Sequence, residues 1–282
     1  MIGMSIGLFH SASRECSKAI TSCYSTSFSS AIALLHPDLR GPIFDIYGFV
    51  RLADEIVDSF HAHDRAGLLA EFKSNTYTAL AQGISVNPIL HAFQRTVHLN
   101  NIDVHLIDAF FRSMESDLTR TSYDQDGYTE YIHGSAEVVG LMCLHVFCEG
   151  DKQLYERLKA PASALGAAFQ KVNFLRDIQS DVVGLSRTYF PGCDPHNFTS
   201  QDKECIEHDI DKDFQKALAG ILALPVKARF GVYVAYKYYH SLFRKIKNVD
   251  HMRLFRERIR IPDHQKALIV LKAGIRDKLG VI

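Results

Sequence analysis

The six cysteines of this 282-residue chain, Cys16, Cys23, Cys143, Cys148, Cys193 and Cys205, form no CxxC pair. That removes the paired-thiol metal and redox motifs. Four of them lie in apolar or helical surroundings, where a reduced thiol is the plain reading, so a reducing cytoplasm is expected. Charge surplus is also missing, with 32 Lys+Arg against 32 Asp+Glu. A general nucleic-acid binder usually carries a basic excess, so nucleic acid is not an expected partner. A local basic pocket remains compatible with these totals. Long apolar runs are absent too. The most apolar stretch, "VVGLMCLHVFC" at 138–148, falls well short of the roughly 20 residues that cross a bilayer. The start, "MIGMSIGLF", lacks a basic region and is too short for a secretory signal. A soluble protein is expected, one still able to touch a membrane surface. No glycine-rich dinucleotide fingerprint occurs, a weak argument against a nicotinamide cofactor.

Proline is scarce as well. Pro37, Pro42, Pro88, Pro161, Pro191, Pro195, Pro225 and Pro262 are read as junctions. Between them apolar residues recur at helical spacing, and strict alternation is nearly absent. Helices are predicted over 68–81, 99–117, 129–148, 160–185, 209–222, 227–245 and 263–279. A helix break is predicted at 35–42 and a loop over "PGCDPHNFTSQD" at 191–202. Hydrophobic residues make up 47%, enough for a sizeable core. The expectation is one all-α domain spanning 1–282. His61, His63, His91 and His98 are expected at the surface or at loop ends.

Two stretches stand out, "YGFVRLADEIVD" at 47–58 and "QKVNFLRDIQSD" at 170–181. Tyr47, Arg51, Asp54 and Asp58 fall on one helical stripe, as do Gln170, Asn173, Asp177 and Asp181. Both stripes are embedded in apolar residues. Unpaired buried carboxylates are costly, so such helices need a compensating cation. Oxygen-only donors suit Mg²⁺ rather than Zn²⁺, and Mg²⁺ commonly shares its shell with phosphate. Arg51 and Arg176 beside the acids fit bidentate phosphate contacts. A lone DxxxD is usually a solvated face. A di-iron bundle would need two Glu-x-x-His copies, and only "EYIH" at 130–133 matches.

These residues resemble the squalene/phytoene synthase family. "IYGFVRLADEIVD" resembles its first aspartate-rich motif and "NFLRDIQSDVVGLSRTYFP" its second. "YSTSFS" at 24–29 is similar to the family's N-terminal serine segment. "YIHGSAEVVGLM" at 131–142 resembles its tyrosine- and glycine-containing stretch. The resemblance implies an all-α isoprenoid synthase bundle with a central cavity, condensing two prenyl diphosphates head to head. It implies that Asp54, Asp58, Asp177 and Asp181, with Asn173, hold Mg²⁺, for which Mn²⁺ can substitute. Arg51, Arg176 and Arg187 would contact diphosphate. Ser25, Ser27, Tyr47, Tyr131, Gln170 and Tyr189 would line the polar end, with Tyr239 a looser match because Tyr236 and Tyr238 compete for its place. Two departures are visible. Glu137 stands where the family often has Gly, and the step from Asp181 to Arg187 is one residue longer than the family spacing.

The apolar wall is expected from Phe28, Phe49, Val138, Leu141, Leu165, Phe169 and Phe230. The motifs look closer to the bacterial phytoene-forming members. Two geranylgeranyl diphosphates and no NADPH are therefore expected, with a farnesyl diphosphate-using squalene or dehydrosqualene synthase as the alternative. No obligate protein partner is evident, and peripheral membrane contact would serve product release. "RLFRERIRI" at 253–261 is locally basic and could help bind diphosphate or an anionic membrane surface, but it is read mainly as a solvated face. Of Tyr233, Tyr236, Tyr238 and Tyr239, one is expected to reach the cavity.

Overall fold

The computed structural model describes residues 2–185, 187–194, 197–280 and 282. Pro195 lies outside them. The helices are α1 (Ile2–Tyr24), α2 (Thr26–Ile32), α3 (Pro37–Asp58), α4 (Arg65–Gln82), α5 (Pro88–Asn100), α6 (Val104–Asp117), α7 (Gln125–Ile132), α8 (Val138–Cys148), α9 (Lys152–Leu185), α10 (Ser200–Leu222), α11 (Val226–Lys247), α12 (His251–Leu254) and α13 (Asp263–Lys278). A π-helical turn, His133–Glu137, joins α7 to α8. Among the described residues no strand forms, and one isolated bridge pairs Ser122 with Thr188. The chain is all-α, as its periodicity predicts.

Short polar side chains set many of the helix starts. Asp64, Asn87, Asp103 and Asp124 each accept a first-turn backbone N–H. Thr199 and Asp202 cap each other reciprocally. Several boundaries differ from the sequence reading. The predicted 99–117 helix is split: Asn101 closes α5 at φ 51° and Asp103 opens α6. An asparagine tolerates that left-handed turn better than most residues. Helices α1 and α5 were not predicted, and α9 begins well before residue 160.

Pro42 and Pro161 sit inside α3 and α9 rather than at junctions. At Pro161 the reason is tertiary. Its ring packs so closely on α10 that a Cβ at Gly220 would lie 2.2 Å from the Pro161 Cβ. Packing thus outweighs the lost backbone hydrogen bond. His91 is only 1% exposed, and its Nε2 lies 2.8 Å from His10 Nδ1. Its place against α1 could not be read locally, because α1 itself was missed.

The helical run Gln125–Cys148 has mean hydropathy 1.3 and, by length and composition alone, could cross a bilayer. Yet 72% of its apolar window is buried, which marks a core helix. The apolar core falls into two clusters. One gathers α3 to α6 and α8, with Phe49 stacked on Phe93 at 3.8 Å. The other gathers α9, α10, α11 and the loop through Tyr189 and Phe198. A cavity of about 500 Å³ lies between them.

Glycines let the walls of that cavity approach at backbone distance. A Cβ at Gly166 of α9 would lie 2.6 Å from the Ala136 carbonyl oxygen, and one at Gly140 of α8 would lie 3.0 Å from that of Ala162. Backbone cannot yield as a side-chain tip can. Gly166→Ala should therefore cost about 1–3 kcal/mol, read as a lower melting midpoint by circular dichroism. Gly7→Ala, where nothing lies within 4 Å, should leave the midpoint unchanged or slightly higher.

Candidate active site

The two acid-bearing stripes face each other because α3 and α9 each turn a polar line toward the cavity while burying the rest. Tyr47, Arg51 and Asp54 come from α3. Gln170, Asn173, Arg176 and Asp177 come from α9. Ser25 and Tyr239 join them from the start of α2 and from α11. Ser25 is also the N-cap of α2, its hydroxyl accepting the Phe28 N–H at 3.2 Å. Phe169 and Tyr239 stack at 3.9 Å, with Phe28 against both. Polar groups thus gather at one end of a mainly apolar hollow.

Arginines hold much of the acid end. Arg176 grips Asp177 through Nε at 3.0 Å and Nη2 at 2.5 Å. Arg258 grips the same carboxylate through Nε at 2.7 Å and Nη2 at 3.3 Å. Arg51 pairs with Glu55 at 2.5 Å, lies 3.9 Å from Asp54, and stacks its guanidinium 4.2 Å over the Tyr24 ring. Arg187 Nη1 reaches Asp58 at 3.2 Å across 129 residues of sequence. It remains near the acids despite the longer spacing, because its N–H donates to the Asp181 carbonyl at 2.9 Å.

Asp54 and Asp181 are left least compensated. Burial, then Asp58, pushes the Asp54 carboxyl up to about 7 against the pull of Arg51. Burial, then Asp177 and Asp58, pushes Asp181 up to about 7 against Arg187 and Arg176. Burial is the larger cause at both, and Asp58 raises both carboxyls, which links the acids of α3 and α9 electrostatically. They do not form a ready-made nest: among the described residues no three acidic, His or Cys side chains are close enough to hold an ion together. The donors nonetheless suit a hard divalent cation. All are oxygens, and Asn173 Oδ1 is buried with no hydrogen-bond partner.

Some predicted residues stand elsewhere. Asp181, Arg187 and Tyr189 line a small recess beside the main cavity. Asp58, with its side chain 44% exposed, contacts that recess through Arg187. Tyr131 is buried behind them, its hydroxyl donating to Asp117 at 2.9 Å. Ser27 is half-buried and not on the cavity wall. Of the expected apolar wall, Phe28, Leu165 and Phe169 line the cavity. Phe49, Val138 and Leu141 instead fill the first core cluster, and Phe230 packs on the second, toward Gly274. Helical spacing marks a residue as inward-facing without saying whether it meets packing or space. Glu137 pairs with His133 at 2.9 Å and does not line the cavity. Tyr233, Tyr236 and Tyr238 are core, so Tyr239 is the member of its cluster that reaches the cavity.

One charged residue, Asp117, escaped the sequence reading of the site, and another, Arg258, was given only a lesser place in it. Arg258 lies in the basic run taken for a solvated face, and only its ion pair with α9 reveals it. Asp117 ends α6 with no motif around it. It is 6% exposed and meets Tyr131 and Arg187, whose Nη2 donates to the Asp117 backbone carbonyl at 2.6 Å. Burial, against Arg187, pushes the Asp117 carboxyl up from 3.8 to about 8. A raised folded value means that its stability contribution is full below about 3.8 and is lost as pH rises through about 8. Asp117→Asn should therefore flatten the decline of the melting midpoint across that window. An unchanged slope would show that Asp117 does not titrate there.

Comparison with known proteins places this geometry. A profile of the squalene/phytoene synthase family matches residues 22–265. The chain is 24% identical over 295 residues to a phytoene synthase of Arthrospira platensis, covering 95% of this chain and 94% of that protein. It is 25% identical over 249 residues to one from Pseudescherichia vulneris, covering 79% of each. A dehydrosqualene synthase crystal structure superposes with a TM-score of 0.80 at 17% identity, covering 95% of this chain and 98% of that one. With its profile match, its all-helical fold and acidic stripes from two helices at one cavity end, the chain belongs to the squalene/phytoene synthase family of prenyltransferases.

Proposed function

We propose that the protein condenses two geranylgeranyl diphosphates head to head, through prephytoene diphosphate, to phytoene. Each of the two steps releases one diphosphate and one proton, so the reaction is redox-neutral and takes no NADPH. The observation that carries this reading is the cavity itself, apolar along most of its wall and crowded with carboxylates and guanidiniums at one end. Relatives named phytoene synthase support the substrate choice. Six free cysteines fit a reducing cytoplasm.

Arg51, Arg176 and Arg258 are placed to bind diphosphate oxygens and to stabilise charge that develops on the leaving group. Asp54, Asp58, Asp177 and Asp181, with Asn173, would hold Mg²⁺. When bound, that ion supplies Lewis-acid stabilisation of the departing diphosphate. Burial keeps the Tyr47 and Tyr239 hydroxyls protonated well past neutral pH, so they present O–H donors at the polar end. The stacked rings of Phe28, Phe169 and Tyr239 exclude water from an allylic cation and offer it π-faces. A second reading, dehydrosqualene or squalene formation from farnesyl diphosphate, is favoured by the 0.80 TM-score to a dehydrosqualene synthase.

Incubation with geranylgeranyl or farnesyl diphosphate, each with and without NADPH, followed by hydrocarbon analysis, separates the two. Phytoene without NADPH is the expected product. C30 hydrocarbon from farnesyl diphosphate alone would favour the second reading. Asp54→Ala and Asp177→Ala should each lower turnover at least about 100–1000-fold while leaving the helical circular dichroism intact. Chelation of divalent cations should abolish turnover, and added Mg²⁺ should restore it.

A further inference from the structure

Helix α13 carries two apolar faces. At about 100° per residue, Ile269, Val270 and Ala273 fall on one side and pack inward on the second core cluster. Leu268, Leu271, Ile275 and Leu279 fall on the opposite side, 46%, 61%, 52% and 71% exposed. A helix with a single job in the bundle needs only the first face. The second is a stripe of large apolar side chains left about half or more exposed.

Its flanks are cationic. Lys278 borders one edge of the stripe, and Lys272 and Arg276 border the other, all exposed. The acidic residues of α13, Asp263 and Asp277, lie away from the stripe, toward the packed side. Among the described residues Lys266 is the α13 cation held in an ion pair, with Asp263 at 3.1 Å, which leaves the three flanking cations available. An apolar stripe between basic edges is the pattern of a helix lying in the plane of an anionic lipid interface. A second copy of the chain fits poorly, since a twofold contact sets identical surfaces against each other and would bring these like charges together.

We propose that α13 docks the protein on an anionic membrane surface, burying Leu268, Leu271, Ile275 and Leu279 among acyl chains with Lys272, Arg276 and Lys278 at the headgroups. The inner neighbour of α13 is α11, whose Gly231, Val232, Ala235 and Tyr239 line the cavity. Docking therefore sets the cavity one helix away from the bilayer. The inference rests on the surface of α13 and does not depend on which prenyl diphosphate is used.

The full chain is tested by flotation with phosphatidylcholine vesicles, with and without phosphatidylglycerol. It should float with the anionic vesicles, and at least about tenfold less with the neutral ones or in high salt. Leu271→Glu with Ile275→Glu, and separately Lys272→Ala with Arg276→Ala, should each weaken anionic binding by at least about tenfold at an unchanged melting midpoint. Because the two variants remove different chemistry, misfolding of one leaves the other decisive. Absence of flotation with anionic vesicles would overturn the proposal, as would flotation of both variants at the wild-type level. So would a wild-type dimer in light scattering that these substitutions split into monomers.

Discussion

Putting carboxylates on helices that are otherwise apolar creates a debt of positive charge, and most of the polar architecture answers it. Asp177 receives two guanidiniums, one from its own helix and one from the loop after α12. Asp58 receives Arg187 from the segment following α9. The compensation is incomplete at Asp54 and Asp181, whose carboxyls hold protons to about 7. A surplus of oxygen donors at the end of an apolar hollow has little structural use, since well-packed hydrophobic residues would serve stability better. It makes chemical sense as a receptor for cations and for the phosphates they accompany.

The hollow needs its own explanation, because interiors normally pack without voids. Here the space lies between two cores, and close packing behind its walls holds it open. Gly140 and Gly166 bring α8 and α9 to backbone contact at one wall, and Gly220 accepts the Pro161 ring at another. Each wall is therefore braced from behind. The cavity survives because its lining rests on two separately packed clusters rather than on a single one that could collapse inward.

Much of this was legible in the sequence. Helical periodicity gave the class, and the steps of four, three and four along 47–58 put Tyr47, Arg51, Asp54 and Asp58 on one line. What was not legible depends on contacts between distant segments. Pro161 looks like a breaker until Gly220 is seen beneath it. Phe49 and Phe169 are alike in a helical pattern, yet one fills a core and the other faces a cavity. Arg258 and Asp117 carry no local signature, and only the meeting of α6, α9 and the chain beyond α12 gives them partners. Ser25 shows the reverse, since a residue chosen by motif proves also to start a helix.

The contact between Arg187 and Asp58 spans 129 residues, and that separation has a bearing on how the protein matures. A ribosome-bound chain that ends before Arg187 carries Asp58 without that counter-charge, while Arg51 already stands beside Asp54 on the same helix. Non-local contacts of this kind form late and slowly. Asp58 therefore waits for its partner until α9 and the residues after it emerge, although Asp45, Asp54 and Glu55 find arginines within the N-terminal helices. The last ion pair of the first acidic stripe is thus a late event, made only when both halves of the chain are present.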